Sequence, residues 1–190
     1  MPMPTNVFSH VESAKLDYKH LVHRVVYTAY DAAQTLRVKV GDIAKPLVLK
    51  VDKGWFCAVL SAGHMLDLKK VTKLLKAKRV RIPTEKEVIA ALKLKKKQGL
   101  SPFGSLYKIP VLLDKAFAKN AKGIFPTGSF TDSLLLKLKD FVRLESPLIG
   151  AFAAVKKFKK PKSAKKKKSI GAKKNTPAKK TSKRKPVKKK

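Results

Sequence analysis

The chain has 190 residues, with 46 Lys and Arg against 12 Asp and Glu, a formal net charge of +34. A single cysteine, Cys57, excludes an intramolecular disulfide, and no stretch approaches the roughly 20 apolar residues of a membrane span, so neither a disulfide scaffold nor a helical membrane protein fits. The charge is uneven: Lys156 to Lys190 hold 19 of the basic residues and no acid, leaving 27 basic and 12 acidic residues for 1–155, so the tail is +19 and the body +15.

Taken in chain order, the body predicts short strands mixed with helices. Val7, Val11 and Ala14 at helical spacing predict a helix over about 5–14, opened by Thr5 or Asn6. Leu16 to Val26 reads as a strand, and Thr28 as the cap of a helix through Asp31, Ala32, Ala33 and Leu36. Pro46 to Val51 and Trp55 to Leu60 are apolar strands separated by the turn Asp52-Lys53-Gly54. Leu68, Val71, Leu74 and Leu75 share one face of a helix. A strand over Arg79 to Ile82, a helix capped by Thr84 and running to about Leu94, and a strand over Ile109 to Leu113 follow. Gly123 to Phe125, a turn at Gly128, Leu134 to Leu136 and a helix near Lys139 to Leu144 complete the body. The pattern predicts an α/β (α+β) class, a mixed sheet wrapped by helices rather than a regular βαβ repeat.

The tail is a different kind of sequence. Lys, Ala, Pro, Ser and Thr with almost no large apolar residues cannot bury enough surface to offset ordering entropy, so disorder is expected. The expected division is a domain over 1–150 and a basic tail over 151–190. The runs Lys165, Lys166, Lys167, Lys168, then Lys173, Lys174, Lys179, Lys180, Lys183, Arg184 and Lys185 resemble the lysine-rich tails of linker histones and some nucleoid proteins. Their physics is non-specific phosphate binding through counterion release, to RNA or DNA alike. A solubilising extension is the alternative reading.

Several short blocks stand in a fixed order across about 120 residues: Tyr27-Thr28-Ala29, Ile43-Ala44-Lys45-Pro46-Leu47, Leu66 to Lys70, GLSPFG at Gly99 to Gly104, and Val111-Leu112-Leu113-Asp114. Longer stretches join them, at Leu16 to Ala33, Pro102 to Ala118 and Gly123 to Phe141. Together they resemble the YbaK family, which includes the editing domain associated with prolyl-tRNA synthetase, over roughly Pro4 to Pro147. The resemblance implies a curved mixed sheet and hydrolysis of wrongly charged aminoacyl-tRNA, with tRNA as partner. It also implies Lys45 as the key site residue, Gly128 as a backbone-donor turn, Gly104, Ser129 and Phe130 as pocket residues, and Thr28 and Asp114 as supports.

The residues themselves give each assignment its chemistry. Lys45 sits between apolar neighbours and before Pro46, which favours extended backbone, and an ammonium there suits a phosphate or a developing oxyanion. Glycines let backbone N–H groups approach an ester. On its own GLSPFG is only a turn, lacking the Lys-Ser/Thr ending of a phosphate-binding loop, and Asp114 reads equally as a strand-end cap. Phe130 stands where a histidine is expected from the resemblance and Leu21 where some deacylases carry a tyrosine, changes that bear on specificity or activity.

Other constellations carry less. His20 and His23 at i, i+3 fall on opposite faces of a strand with no carboxylate or cysteine cluster nearby, so no metal is expected. Cys57, inside an apolar strand, reads as a buried thiol. With no nucleophile elbow and no cofactor motif, neither a covalent mechanism nor a cofactor is expected. A cytoplasmic location, or one on the nucleoid, is the expectation. Two functions follow: a freestanding deacylase that edits mischarged tRNA, with tRNA(Pro) carrying a small amino acid as substrate, or a catalytically silent domain that binds DNA, ribosomal RNA or other RNA through its tail.

Overall fold

The computed structural model describes residues 5–94 and 99–155; the tail cations to which nucleic-acid binding was assigned lie outside them. Helix α1 (Thr5–Ser13) leads into strand β1 (Tyr18–Val22) and helix α2 (Ala29–Leu36). Strands β2 (Ala44–Val51), β3 (Gly54–Ser61) and β4 (His64–Leu66) precede helix α3 (Leu68–Leu75), strand β5 (Val80–Arg81) and helix α4 (Glu85–Leu92). Strand β6 (Val111–Asp114), the single turn α5 (Lys115–Ala118), strands β7 (Lys122–Pro126) and β8 (Asp132–Lys137), helix α6 (Leu138–Glu145), and strands β9 (Leu148–Gly150) and β10 (Ala153–Val155) follow.

The strands form a five-stranded mixed sheet in the order β5-β2-β3-β6-β9, an antiparallel sheet β1-β8-β7, and the pair β10-β4. Among the named strands of the described residues, parallel pairing flanks β6, against β3 and β9. Strands buried on both faces carry unbroken apolar runs, and β3 and β6 do so. Cys57 and Val59 with Val111 and Leu113 face one core, and Ala58 and Leu60 with Leu112 face another. The first core is closed by α1, α6 and a cluster of phenylalanines, in which Phe125 and Phe141 stack at 4.7 Å. The second is covered by α3 through Val71, Leu74 and Leu75. Full burial of one such side chain contributes about 1.5–3 kcal/mol. A third cluster joins Ala32 and Ala33 of α2 to Ile43 and Ile124, and the Ile43–Ile124 bridge links the two larger sheets.

Most predicted elements appear within a residue or two, and the exceptions have local causes. Strand β1 starts late because Lys15 turns left-handed (φ 53°) and the Leu16 amide bonds back to Val11 to close α1. It ends early because the amides of His23 and Val26 turn to the carbonyls of Thr131 and Phe130. Helix α4 stops at Leu92, where Lys93 becomes left-handed. Strands β4, β9 and β10, each three residues long, were not anticipated. Strand β10 lies beyond 150, the expected end of the domain, and pairs with β4.

Candidate functional site

The C-terminal end of β1, the N-terminus of α2, the start of β2 and the β7–β8 turn converge on a cleft of about 220 Å³. Strand β5 pairs with Lys50 and Val51, so among the described residues 44–49 has no strand on that side, where Pro46 is tolerated. That edge presents Lys45, whose ammonium donates to the His64 carbonyl of β4. Lining the same cleft, Gly128 adopts φ 91°, a left-handed conformation that a side chain disfavours. Its carbonyl accepts the Gly99 amide at 2.8 Å, which seats the GLSPFG loop on the turn. No group among the described residues accepts the amide of Gly128 or of Phe130.

The structure therefore brings Thr28, Lys45, Gly128, Ser129 and Phe130 to one cleft. Thr28 positions α2: its hydroxyl accepts the Asp31 amide at 3.1 Å while the Asp31 carboxylate accepts the Thr28 amide, a reciprocal cap. Ser129 donates to Asp132 at 2.8 Å. Asp132 also accepts Thr131 at 2.6 Å and bonds His20 at 2.7 Å. Burial alone would raise its pKa, but hydrogen bonds from Thr131, His20 and Ser129 outweigh it and hold the carboxyl below its ordinary value. This buried carboxylate stiffens the turn that carries Gly128.

Two expected site residues, Gly104 from the pocket and Asp114 from its supports, lie elsewhere. Gly104 is packed inside the protein, where a Cβ would come within 2.5 Å of the Ile109 carbonyl and 2.6 Å of Val111 Cγ2; it is a glycine of close packing, off the cleft wall. Asp114 is 1% exposed. It accepts the amides of Ala116, Phe152 and Ala153, so its strand-end cap reading describes its setting, with β10 tied in as well. Cys57 is buried, and loss of solvation pushes its thiol far up, away from thiolate reactivity.

Cleft residues that were not anticipated include His23, Ser133 and Tyr27. His23 lies just past β1, on the cleft wall. Its Nδ1 faces the Arg24 carbonyl at 2.9 Å, which can only accept, so Nδ1 carries the proton. In the neutral ring Nε2 then accepts the Ser133 hydroxyl at 3.0 Å. The i, i+3 spacing with His20 concealed this, because each histidine is partnered from β8, 110 or more residues away. Leu21 is packed into the Ala32 cluster behind this wall. A wider depression of about 540 Å³ between α5, α6 and Ile149 holds three lysines on an apolar floor and none of the expected site residues. Convergent polar groups favour the smaller cleft as the site.

Residues 23–144 match the family model for the aminoacyl-tRNA editing domain. No curated protein matches the chain. Among solved structures, a candidate trans-editing enzyme for prolyl tRNA synthetase is 24% identical, covering 81% of this chain and 99% of that one, with a TM-score of 0.69. A hypothetical protein is 18% identical over 78% of this chain and 99% of its own, TM-score 0.71. A scaffold protein used in computational epitope grafting is 23% identical over 78% and 95%, TM-score 0.67. These three share the fold. The chain belongs to the aminoacyl-tRNA editing (YbaK) family, and membership implies a deacylase domain with aminoacyl-tRNA as its substrate or partner.

Proposed function

We propose that this member of the aminoacyl-tRNA editing family is a freestanding hydrolase that removes a small amino acid from mischarged tRNA, tRNA(Pro) first among the candidates, and that its basic tail tethers the RNA. The observation that carries the reading is that Lys45 and the Gly128 turn line one cleft of about 220 Å³. That volume lies below the roughly 300–1,000 Å³ of pockets that enclose drug-sized ligands, and so favours a small acyl group. The similarity to a candidate trans-editing enzyme for prolyl tRNA synthetase supports the choice of tRNA.

In this reading the aminoacyl ester enters the cleft with its carbonyl toward the Gly128 and Phe130 amides, which stabilise charge as it develops on oxygen. The Lys45 ammonium, steadied by the His64 carbonyl, holds the adjoining phosphate or the oxyanion. Water attacks the ester carbon and the ribose oxygen leaves with a proton, so amino acid and free 3′ end are the products. The proton passes through water, the ribose 2′ hydroxyl or a nucleophilic group of the substrate. The protein's work is positioning and charge stabilisation.

The test is deacylation of tRNA(Pro) charged with alanine, cysteine, serine or proline, comparing the intact protein with Lys45→Ala at one salt concentration. Hydrolysis of one mischarged species that falls about 100-fold or more with the lysine supports the proposal. Hydrolysis unaffected by Lys45→Ala overturns the mechanism. No hydrolysis of any species, with tight salt-dependent binding of plain nucleic acid, points to the silent binding module. Removing 156–190 should raise KM and flatten its salt dependence while sparing kcat, because tail cations act through counterion release.

A further inference from the structure

The mouth of the cleft is aromatic, and its position is set by backbone. Tyr27 is 78% exposed, the most exposed large apolar side chain among the described residues, and Val25 beside it is 54% exposed. The Tyr27 ring meets Phe130 at 5.3 Å between centroids with planes tilted by 50°. Both side chains line the cleft. The segments that carry them are joined by backbone bonds, His23 N–H to the Thr131 carbonyl at 2.8 Å and Val26 N–H to the Phe130 carbonyl at 2.9 Å. The two rings are therefore presented together, before any ligand arrives.

An uncovered aromatic edge on a body with 27 basic and 12 acidic residues has a narrow choice of partners. Positive charge beside exposed rings suits a single-stranded nucleic acid, whose phosphates meet the cations and whose bases stack on the rings. The cleft adds a size argument. At about 220 Å³ it takes an acyl group and part of a sugar, and a purine attached to that sugar must then lie outside, at the mouth.

We propose that Tyr27 and Phe130 form a stacking platform for the unpaired terminal base of an acylated RNA 3′ end. The proposal rests on the deacylase reading and adds to it a base subsite with Tyr27 as its principal residue. Stacking is tolerant of base identity, since every base has a π face. The subsite thus holds the 3′ end in register while leaving selection of the amino acid to the inner cleft.

The experiment uses the full-length protein and an uncharged RNA hairpin with an unpaired CCA 3′ end, alongside the same hairpin made abasic at its last position. Both RNAs carry the same phosphates, so the contribution of the basic tail cancels in the ratio of their Kd values. For the unaltered protein the abasic RNA should bind about 5- to 150-fold more weakly. Tyr27→Ala should weaken the intact hairpin by a similar factor and bind both RNAs alike. Tyr27→Leu, which keeps an apolar side chain at this exposed position, should behave as Ala does, and Tyr27→Trp should restore the preference. Equal binding of the two RNAs by the unaltered protein, or losses that multiply when Tyr27→Ala meets the abasic RNA, would overturn the proposal. Deacylation by the same variants is read separately: a stacking effect without hydrolysis refutes the deacylase reading alone, and hydrolysis without a stacking effect refutes the platform alone.

Discussion

Replacing Asp114 with alanine takes the acceptor from three backbone amides at once, those of Ala116 at 3.0 Å, Phe152 at 3.0 Å and Ala153 at 2.9 Å. The carboxylate is 1% exposed and Phe152 is fully buried, so water does not replace the acceptor at the Phe152 amide. An orphaned buried donor costs about 1–3 kcal/mol. The Ala153 amide is half-buried and that of Ala116 belongs to an exposed residue, so each adds about 1 kcal/mol, the latter as a lost helix cap. The sum, about 3–5 kcal/mol, is a large share of the roughly 5–15 kcal/mol that stabilises a typical domain. At about 2–4 °C per kcal/mol for a chain of this size, Tm should fall by about 6–20 °C.

Urea denaturation followed by far-ultraviolet circular dichroism measures the loss directly. Asp114→Asn keeps one carbonyl oxygen but turns an NH2 toward an N–H donor, so about half the loss is expected. Because Asp114 is off the cleft wall, kcat/KM of the folded Asp114→Ala protein should stay within about threefold of the parent, in contrast to Lys45→Ala. A stability loss under about 1 kcal/mol, or a large drop in kcat/KM with the fold intact, would refute this assignment of Asp114 to the scaffold.

Three other outcomes are expected. Gly104→Ala should cost about 1–3 kcal/mol by overpacking against the Ile109 carbonyl and Val111, and unchanged urea midpoints would contradict the close approach. Glu87 is held down to about 2 by its hydrogen bonds with Arg81, then by the Thr84 amide and hydroxyl. A depressed carboxyl stabilises the fold fully above its ordinary value of 4.5, and that contribution disappears as pH falls through about 2. The stability gap between the parent and Glu87→Gln should therefore narrow steadily from pH 5 to pH 2, and a constant gap would count against the ion pair. His23→Ala and Ser133→Ala should each lower kcat/KM about tenfold, with the double variant no worse than either, because the two share one hydrogen bond at the cleft wall; additive losses would separate them.

How much of this was legible depended on whether the signal was local. The Thr28 and Thr84 caps, the Asp52-Lys53 turn and the amphipathic face of α3 are set by neighbours within four residues, and each appears where the sequence places it. The apolar runs of β3 and β6 marked strands for the same reason, and the structure buries them on both faces. Strands β4, β9 and β10 had no such signal, because three residues do not establish a period and their pairing partners are distant. The site divides in the same way. Lys45 and Gly128 were singled out through the family resemblance, since the residues alone mark only a lysine at a strand entrance and a glycine turn. Gly104 looked like a pocket glycine because nothing local distinguishes backbone exposed to a ligand from backbone packed against Ile109.

The cleft lies on the seam between the two larger sheets, and this accounts for its dependence on side chains. Among the described residues, the Ile43–Ile124 bridge is the single strand-like link across that seam, and Ile43 itself lines the cleft floor. Lys45 belongs to one sheet and the Gly128 turn to the other, so no continuous ladder fixes their separation. Each side is held instead by discrete ties: Lys45 to the His64 carbonyl on one, and on the other the Asp132 cluster that holds Ser129, Thr131 and His20, with the Gly99 amide bonded to the Gly128 carbonyl. A seam built this way can change its width and polarity by single substitutions without rebuilding either sheet. Phe130 and the His23–Ser133 pair, all lining the cleft, are such positions, and specificity should be sought there before it is sought in the buried strands of either sheet.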